Sequence, residues 1–283
     1  MAAASRPPGS TANAERPRGA RNLRILHVVR RRWPERGWIA AALAVGIAWP
    51  ASAATGKAQE LVQQADQLQA APTASNESAR RAIALYEEAA RLDPKSVEIQ
   101  LKLADAALTV GAWTGEDRLR WYQLGKTAAE RAVALDPNDA EALFLLAANR
   151  GQIASLQKDL GGLLVPQELE RLLSRALAVN PHHARALHMM GVLLERTPAP
   201  LRLTLKGSAG DAEKYLLAAI EADPNFSEAR LDLAKYYTSR RQTSEARAQL
   251  QAVLQMKSPT RPRAWREKHR PAAEALLKEL PAD

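Results

Sequence analysis

The chain offers few residues for reaction chemistry, and their spacing argues against a catalytic centre. Five histidines stand at His27, His182, His183, His188 and His269. His183 and His188 are five apart, so their rings do not share a helix face as an i,i+4 metal pair would. No His-Glu-x-x-His, Gly-x-Ser-x-Gly or phosphate-loop pattern occurs, and cysteine is absent, which removes thiol nucleophiles, disulfides and Cys-type zinc sites. Carboxylate pairs such as Glu87-Glu88 and Glu116-Asp117 read as solvated helix faces or helix-start charges. The expectation is therefore no enzyme, no cofactor and no metal. What remains is binding chemistry. Trp113 lies in a glycine-flanked segment where an aromatic side chain is free to anchor a ligand. Asn149, Arg150 and Gln152 fall together on one predicted helix. These four are the candidate contacts for a partner or ligand, while Trp121 and Tyr237, at helical spacing, read as core.

Such residues need a scaffold. The chain has 283 residues, 46% of them apolar but only 5% aromatic, so a core must be built mainly from Ala and Leu, which favours packed helices. Residues 1–53 hold nine arginines and two acids, a net charge of +7 out of +9 for the whole chain. The body is nearly neutral, which speaks against a nucleic-acid-binding face. After Arg36 an uncharged run, Trp38–Trp49, is followed by Pro50 and Ala51-Ser52-Ala53. A basic flank, a short apolar run and an A-x-A site describe a secretory signal peptide cut near Ala53, and the run is too short for the roughly 20 residues of a membrane-spanning helix. The alternative is an uncleaved leader that anchors the protein. The expected location is the periplasm, with membrane contact only through such a leader.

The body repeats. Asp93-Pro94, Asp136-Pro137, Asn180-Pro181 and Asp223-Pro224 recur at intervals of 43, 44 and 43 residues. Five residues before each proline stands an alanine: Ala89, Ala132, Ala176 and Ala219. Nine and ten residues after it comes a bulky-small pair: Leu103-Ala104, Leu146-Ala147, Met190-Gly191 and Leu233-Ala234. Small side chains at fixed offsets let helices approach closely, and a proline after Asp or Asn ends one helix and starts the next. Those Asp and Asn side chains are expected to cap the following helix. The pattern resembles the tetratricopeptide repeat, with Leu233, Ala234, Tyr237, Ala246, Leu250 and Val253 at its signature positions. The expected fold is all-α: about five helix hairpins stacked as a solenoid over 54–260 and a capping helix over 261–283.

The interval exceeds the usual repeat of about 34 residues. The extra length is expected within each hairpin, at Gly111–Asp117, Gly151–Gln167 and Arg196–Gly210, forming three long loops along one rim, with helix extension as the alternative for part of it, above all Gly151–Lys158. Two further runs, Ala128–Pro166 and Lys206–Glu213, together with the tail around Trp265, resemble bacterial exported tetratricopeptide proteins of the TRAP-transporter T-component type. That resemblance implies a periplasmic partner of a transporter's solute-binding protein, although the lipid-attachment cysteine is missing. The expected function is a periplasmic scaffold that holds a protein or peptide on its concave face and loop rim. The alternative is an auxiliary solute-binding protein enclosing a ligand beneath Leu163, Leu164, Val165, Leu201 and Leu203.

Overall fold

The computed structural model describes residues 45–70, 75–157, 165–206 and 211–281. The basic leader and most of the apolar run before Val45 lie outside these residues, as do Gly161-Gly162, Leu163, Leu164 and the Gly207–Gly210 turn. Contacts divide the chain into residues 1–46 and 47–283, and the repeats belong to the second unit.

The architecture is all-helical among the described residues. Five hairpins follow one another: α1 (Val45–Ala70) with α2 (Asn76–Leu92), α3 (Val97–Trp113) with α4 (Arg118–Leu135), α5 (Ala140–Gln157) with α6 (Val165–Val179), α7 (Ala184–Arg196) with α9 (Asp211–Ala222), and α10 (Ser227–Ser239) with α11 (Thr243–Leu254). A single turn, α8 (Ala199–Arg202), sits inside the fourth hairpin. From α2 to α11 each hairpin helix packs on the next one in the series, and α3, α5, α7 and α10 also touch in turn, so the first helices of successive hairpins line one face.

The repeated alanines explain the stacking. Ala89, Ala132, Ala176 and Ala219 are all fully buried. Their carbonyls accept the N–H of Asp93, Asp136, Asn180 and Asp223 at 2.8–3.0 Å, which closes each second helix. The bulky-small pairs are buried as well. At Gly191 an added Cβ would come within 3.0 Å of the Ala212 carbonyl and 2.8 Å of Leu216, so the α7–α9 crossing requires glycine. The Asp and Asn side chains do not cap the next helix. Asp136, Asn180 and Asp223 instead accept the N–H two residues on, at 2.9–3.1 Å, in tight turns. Capping falls to residues three positions later: Ser96 accepts from Ile99, Asp139 from Ala142, and His183 Nδ1 from Ala186. The extra proline-to-capping spacing leaves the Asx side chain out of reach of the helix's free N–H groups.

The first inserted segment is also placed differently from expectation. Gly111, Ala112 and Trp113 are the last turn of α3, not a loop, and the reversal is confined to residues 114–117, with Asp117 in the left-handed region at φ 55°. In the third hairpin α5 continues to Gln157, the helix extension weighed for Gly151–Lys158, and in the fourth the insertion begins with Thr197 and α8, within the expected Arg196–Gly210. Much of the added length is therefore helix, because an Ala/Leu-rich stretch that already packs on its neighbour gains a backbone hydrogen bond with every further residue.

After α11 the chain forms α12 (Pro262–Ala264), a π-helical turn over Trp265–His269, and α13 (Arg270–Glu279). Pro271 does not interrupt this helix. It sits in the first turn of α13, where no N–H is needed, and the widened turn before it absorbs the change in pitch. Ala273 of α13 packs with Leu231, Leu250 and Val253, covering the end of the last hairpin.

Candidate functional site

The concave face encloses a cavity of about 1170 Å³. Its walls come from α3, α5, α7 and α10, from the hairpin turns along one edge, and from residues 261–269 of the C-terminal segment. The wall residues obey the repeat. Counting forward seven residues from the last three prolines reaches Phe144, His188 and Leu231; eleven from all four reaches Asp105, Ala148, Val192 and Lys235; fifteen from the first three reaches Thr109, Gln152 and Arg196. All of these line the cavity. Steps of four keep them on one helical stripe.

The floor is apolar, with Leu108, Phe144, Val192, Leu193 and Leu231, and is crossed by two ionic clusters. In the first, Arg185 of α7 donates to Asp105 of α3 at 2.5 Å and to Glu141 of α5 at 2.7 Å, with its guanidinium 4.4 Å over the Phe144 ring. Arg261 lies 3.9 Å from the same Asp105. One arginine thus ties three successive hairpins together. In the second, Asp232 of α10 pairs with His188 of α7 at 2.9 Å and with Lys235 at 2.8 Å, while Arg196 approaches to 3.6 Å. Burial alone would raise both carboxyls. At Asp105 the charges of Arg185 and Arg261 outweigh it, and at Asp232 the hydrogen bond and charge of His188, with Lys235, outweigh it, so both are held below the usual carboxylate range.

The C-terminal segment closes the mouth. Arg263 Nη2 donates to Asn76 Oδ1 at 3.1 Å, and Lys268 Nζ donates to the Ala112 carbonyl at 2.9 Å. Both cations also lie over the Trp113 ring, at 4.1 Å and 3.8 Å. His269, buried behind this segment, shares a 2.8 Å hydrogen bond with Ser227 Oγ, and burial pushes its pKa down. Glu228 and Asp232 act in the opposite direction, Arg261 and Lys235 in the same one.

These shifts fix a pH dependence. An unfolded chain takes up a proton at His269 below about 6.5, which the folded one resists, so stability falls as pH drops through that region. The depressed carboxyls Asp105 and Asp232 contribute stability above their unfolded pKa of about 3.9, and it is lost only below that. Urea midpoints measured against pH are expected to be level above neutrality, to decline first as pH falls below about 6.5, and to fall again below about 4. A His269→Gln variant should lack the first decline. A level midpoint down to pH 4.5 in the parent protein would contradict the burial of His269.

Of the four residues singled out in the sequence, Trp113 and Gln152 line the cavity. Asn149 does not. It is fully buried at the α4–α5 crossing, where its side-chain nitrogen donates to Leu145 O and its carboxamide occupies the space a Cβ at Gly125 would need. Arg150 turns away too, pairing with Glu168 and with Glu130. Each residue advances about 100° around the helix, so Asn149 and Arg150 leave the stripe that Ala148 and Gln152 define. Asp105, Arg185, Asp232, Arg261 and Arg263 were not singled out, and His188 was weighed only as a metal ligand; reading forward at steps of four from the repeat's proline would have found Asp105 and His188. Trp121 packs against the core and Tyr237 is buried in it, with its hydroxyl donating to Glu213 at 2.7 Å. Among the described residues no group of three or more metal-ligating side chains forms, and no helix is long and apolar enough to cross a membrane.

Two family models match the chain in succession. That of the regulator of microtubule dynamics proteins 1–3 covers residues 61–194, and a tetratricopeptide-repeat model covers residues 203–268. Among solved structures, the chain is similar to a thermophilic tetratricopeptide protein of Thermus thermophilus, with 22% identity over 78% of this chain and 99% of that one, at a TM-score of 0.58. It is also similar to PilF of Pseudomonas aeruginosa, with 16% identity over 80% of this chain and 93% of that one, at a TM-score of 0.49. No curated protein matches it. The first of these likenesses shows the fold, and with the repeat model over 203–268 and the buried alanines at constant offset it leads to one conclusion: the chain folds as a tetratricopeptide-like helical solenoid, all-helical among the described residues.

Proposed function

We propose that this protein is an exported scaffold that holds a segment of a partner protein in its concave groove, in the periplasm of a bacterium. The groove carries the reading. A volume of about 1170 Å³ walled by four successive hairpins is larger than the roughly 300–1000 Å³ typical of small-molecule pockets. Its apolar floor and bound ionic clusters suit a polypeptide with alternating apolar and polar side chains. The wall is preassembled by helix packing, so little ordering cost falls on binding. Export is supported by the leader's composition, a basic flank, a short apolar run and an A-x-A site. N-terminal sequencing of the secreted protein is expected to begin at Ala54; a sequence starting upstream of Trp38 would count against cleavage.

The TRAP-component resemblance makes a solute-binding protein the partner to look for first. A photo-crosslinking amino acid at Gln152, on the groove wall, is the direct test. A covalent adduct with a periplasmic polypeptide is the expected outcome, and its identity separates a transporter role from a general one. The ligand-enclosing alternative draws on Val165 and Leu201, which do line the cavity, whereas Leu203 is 90% exposed and faces solvent. Co-purification of a small molecule with no polypeptide adduct would favour it. The microtubule role in the name of the matching family attaches to those proteins; here the match supports the hairpin architecture over 61–194.

A further inference from the structure

The contact that closes the solenoid is chemically one-sided. The C-terminal segment supplies three cations, Arg261, Arg263 and Lys268. The opposing hairpins supply acceptors: the Asp105 carboxylate, Asn76 Oδ1, the Ala112 carbonyl and the face of Trp113. Ala112 and Trp113 end α3, where unsatisfied carbonyls and the negative pole of the helix both favour positive charge. The partners are 156 and 187 residues apart along the chain, so nothing local imposes the match. We propose, building on the reading that the groove holds a partner segment, that this acceptor set is a recognition site for a helical segment presenting arginine or lysine, and that residues 261–268 occupy it in cis as a built-in competitor.

The cis segment is well suited to yield. Its attachment to the last hairpin is separate from its attachment to the first two. Thr260 donates to Asp223 Oδ2, in the turn leading into the last hairpin, at 2.6 Å, Trp265 Nε1 donates to the Val253 carbonyl at 2.8 Å, and Ala273 packs on the last hairpin. Release of the three cations therefore leaves the C-terminal helix docked. The cis contacts themselves are polar and cation–π pairs at the edge of the groove, individually weak and screened by salt. Tethering raises their effective concentration, so a partner segment must offer better contacts or more of them, and the apolar floor beside Trp113 supplies that surplus.

The probe is a labelled synthetic peptide of the protein's own residues 258–270. Its binding is measured by fluorescence anisotropy to the full-length chain and to the full-length Arg261→Ala/Arg263→Ala/Lys268→Ala variant, with circular dichroism confirming unchanged helix content. The variant, its cis competitor disarmed, is expected to bind the peptide at least about tenfold more tightly than the parent chain, with affinity that falls as salt rises. Adding Trp113→Ala should abolish binding while leaving the C-terminal packing intact. Absence of binding by the folded triple variant, equal binding by the parent chain, or indifference to Trp113→Ala would overturn the proposal. Any of these removes the cationic preference alone, because the crosslink from Gln152 reads the groove's occupancy independently.

Discussion

Replacing Asp232 by alanine is expected to lower the unfolding free energy by about 3 kcal/mol, the low end of what removal of one partner from a buried ion pair costs. Asp232 is 8% exposed and holds His188, Lys235 and, at longer range, Arg196. His188 comes from the preceding hairpin, and its ring also meets Phe226 edge-on at 5.1 Å. Alanine at 232 strands that imidazole at the α7–α10 contact with its nitrogen unpaired. Making His188 apolar in the same protein should recover part of the loss, since no polar group is then left without a partner. Urea denaturation with helix content as the readout decides the matter. An unchanged midpoint for the single variant would mean that water already solvates the pair and that the two hairpins are held by apolar packing alone.

Ala132→Trp is expected to cost about 3 kcal/mol or more through overpacking. Ala132 has no exposed surface, and its carbonyl accepts the N–H of Asp136 at 2.8 Å, so the helix end cannot slide away without losing that bond. A tryptophan there must separate α4 from its neighbours. In a stacked array the loss spreads through the interfaces on either side, so the transition should broaden as well as shift. Arg131→Trp, one residue earlier and exposed, is the control and is expected to stay within about 0.5 kcal/mol of the parent. Equal effects of the two would show that the repeated alanine is not at a helix crossing.

The difference between these two sites marks how far the amino-acid sequence can be read. Ala132 was legible because its role is local and repeated: the same small residue at the same distance from a helix-ending proline, four times, admits only one packing arrangement. Asp232 was not legible. A charged residue on a helix is usually solvated, and what buries this one is a histidine 44 residues away. Asn149 shows the same boundary from the other side. Its polar type suggested a binding face, but 100° of helical rotation separates it from Ala148, and a glycine on α4 leaves room for it in the interior.

Sequence alone determined the all-helical class, the order of the hairpins and which positions pack between helices, because backbone propensity and close approach act over a few residues and recur with the repeat. Tertiary structure alone decided which stripe faces inward, that Gly111–Trp113 ends a helix instead of forming a loop, and that the chain's end returns to its first hairpins. Those outcomes depend on the small rotation from each hairpin to the next, summed over the stack. That sum brings Arg263 to Trp113, and no single stretch of residues encodes it.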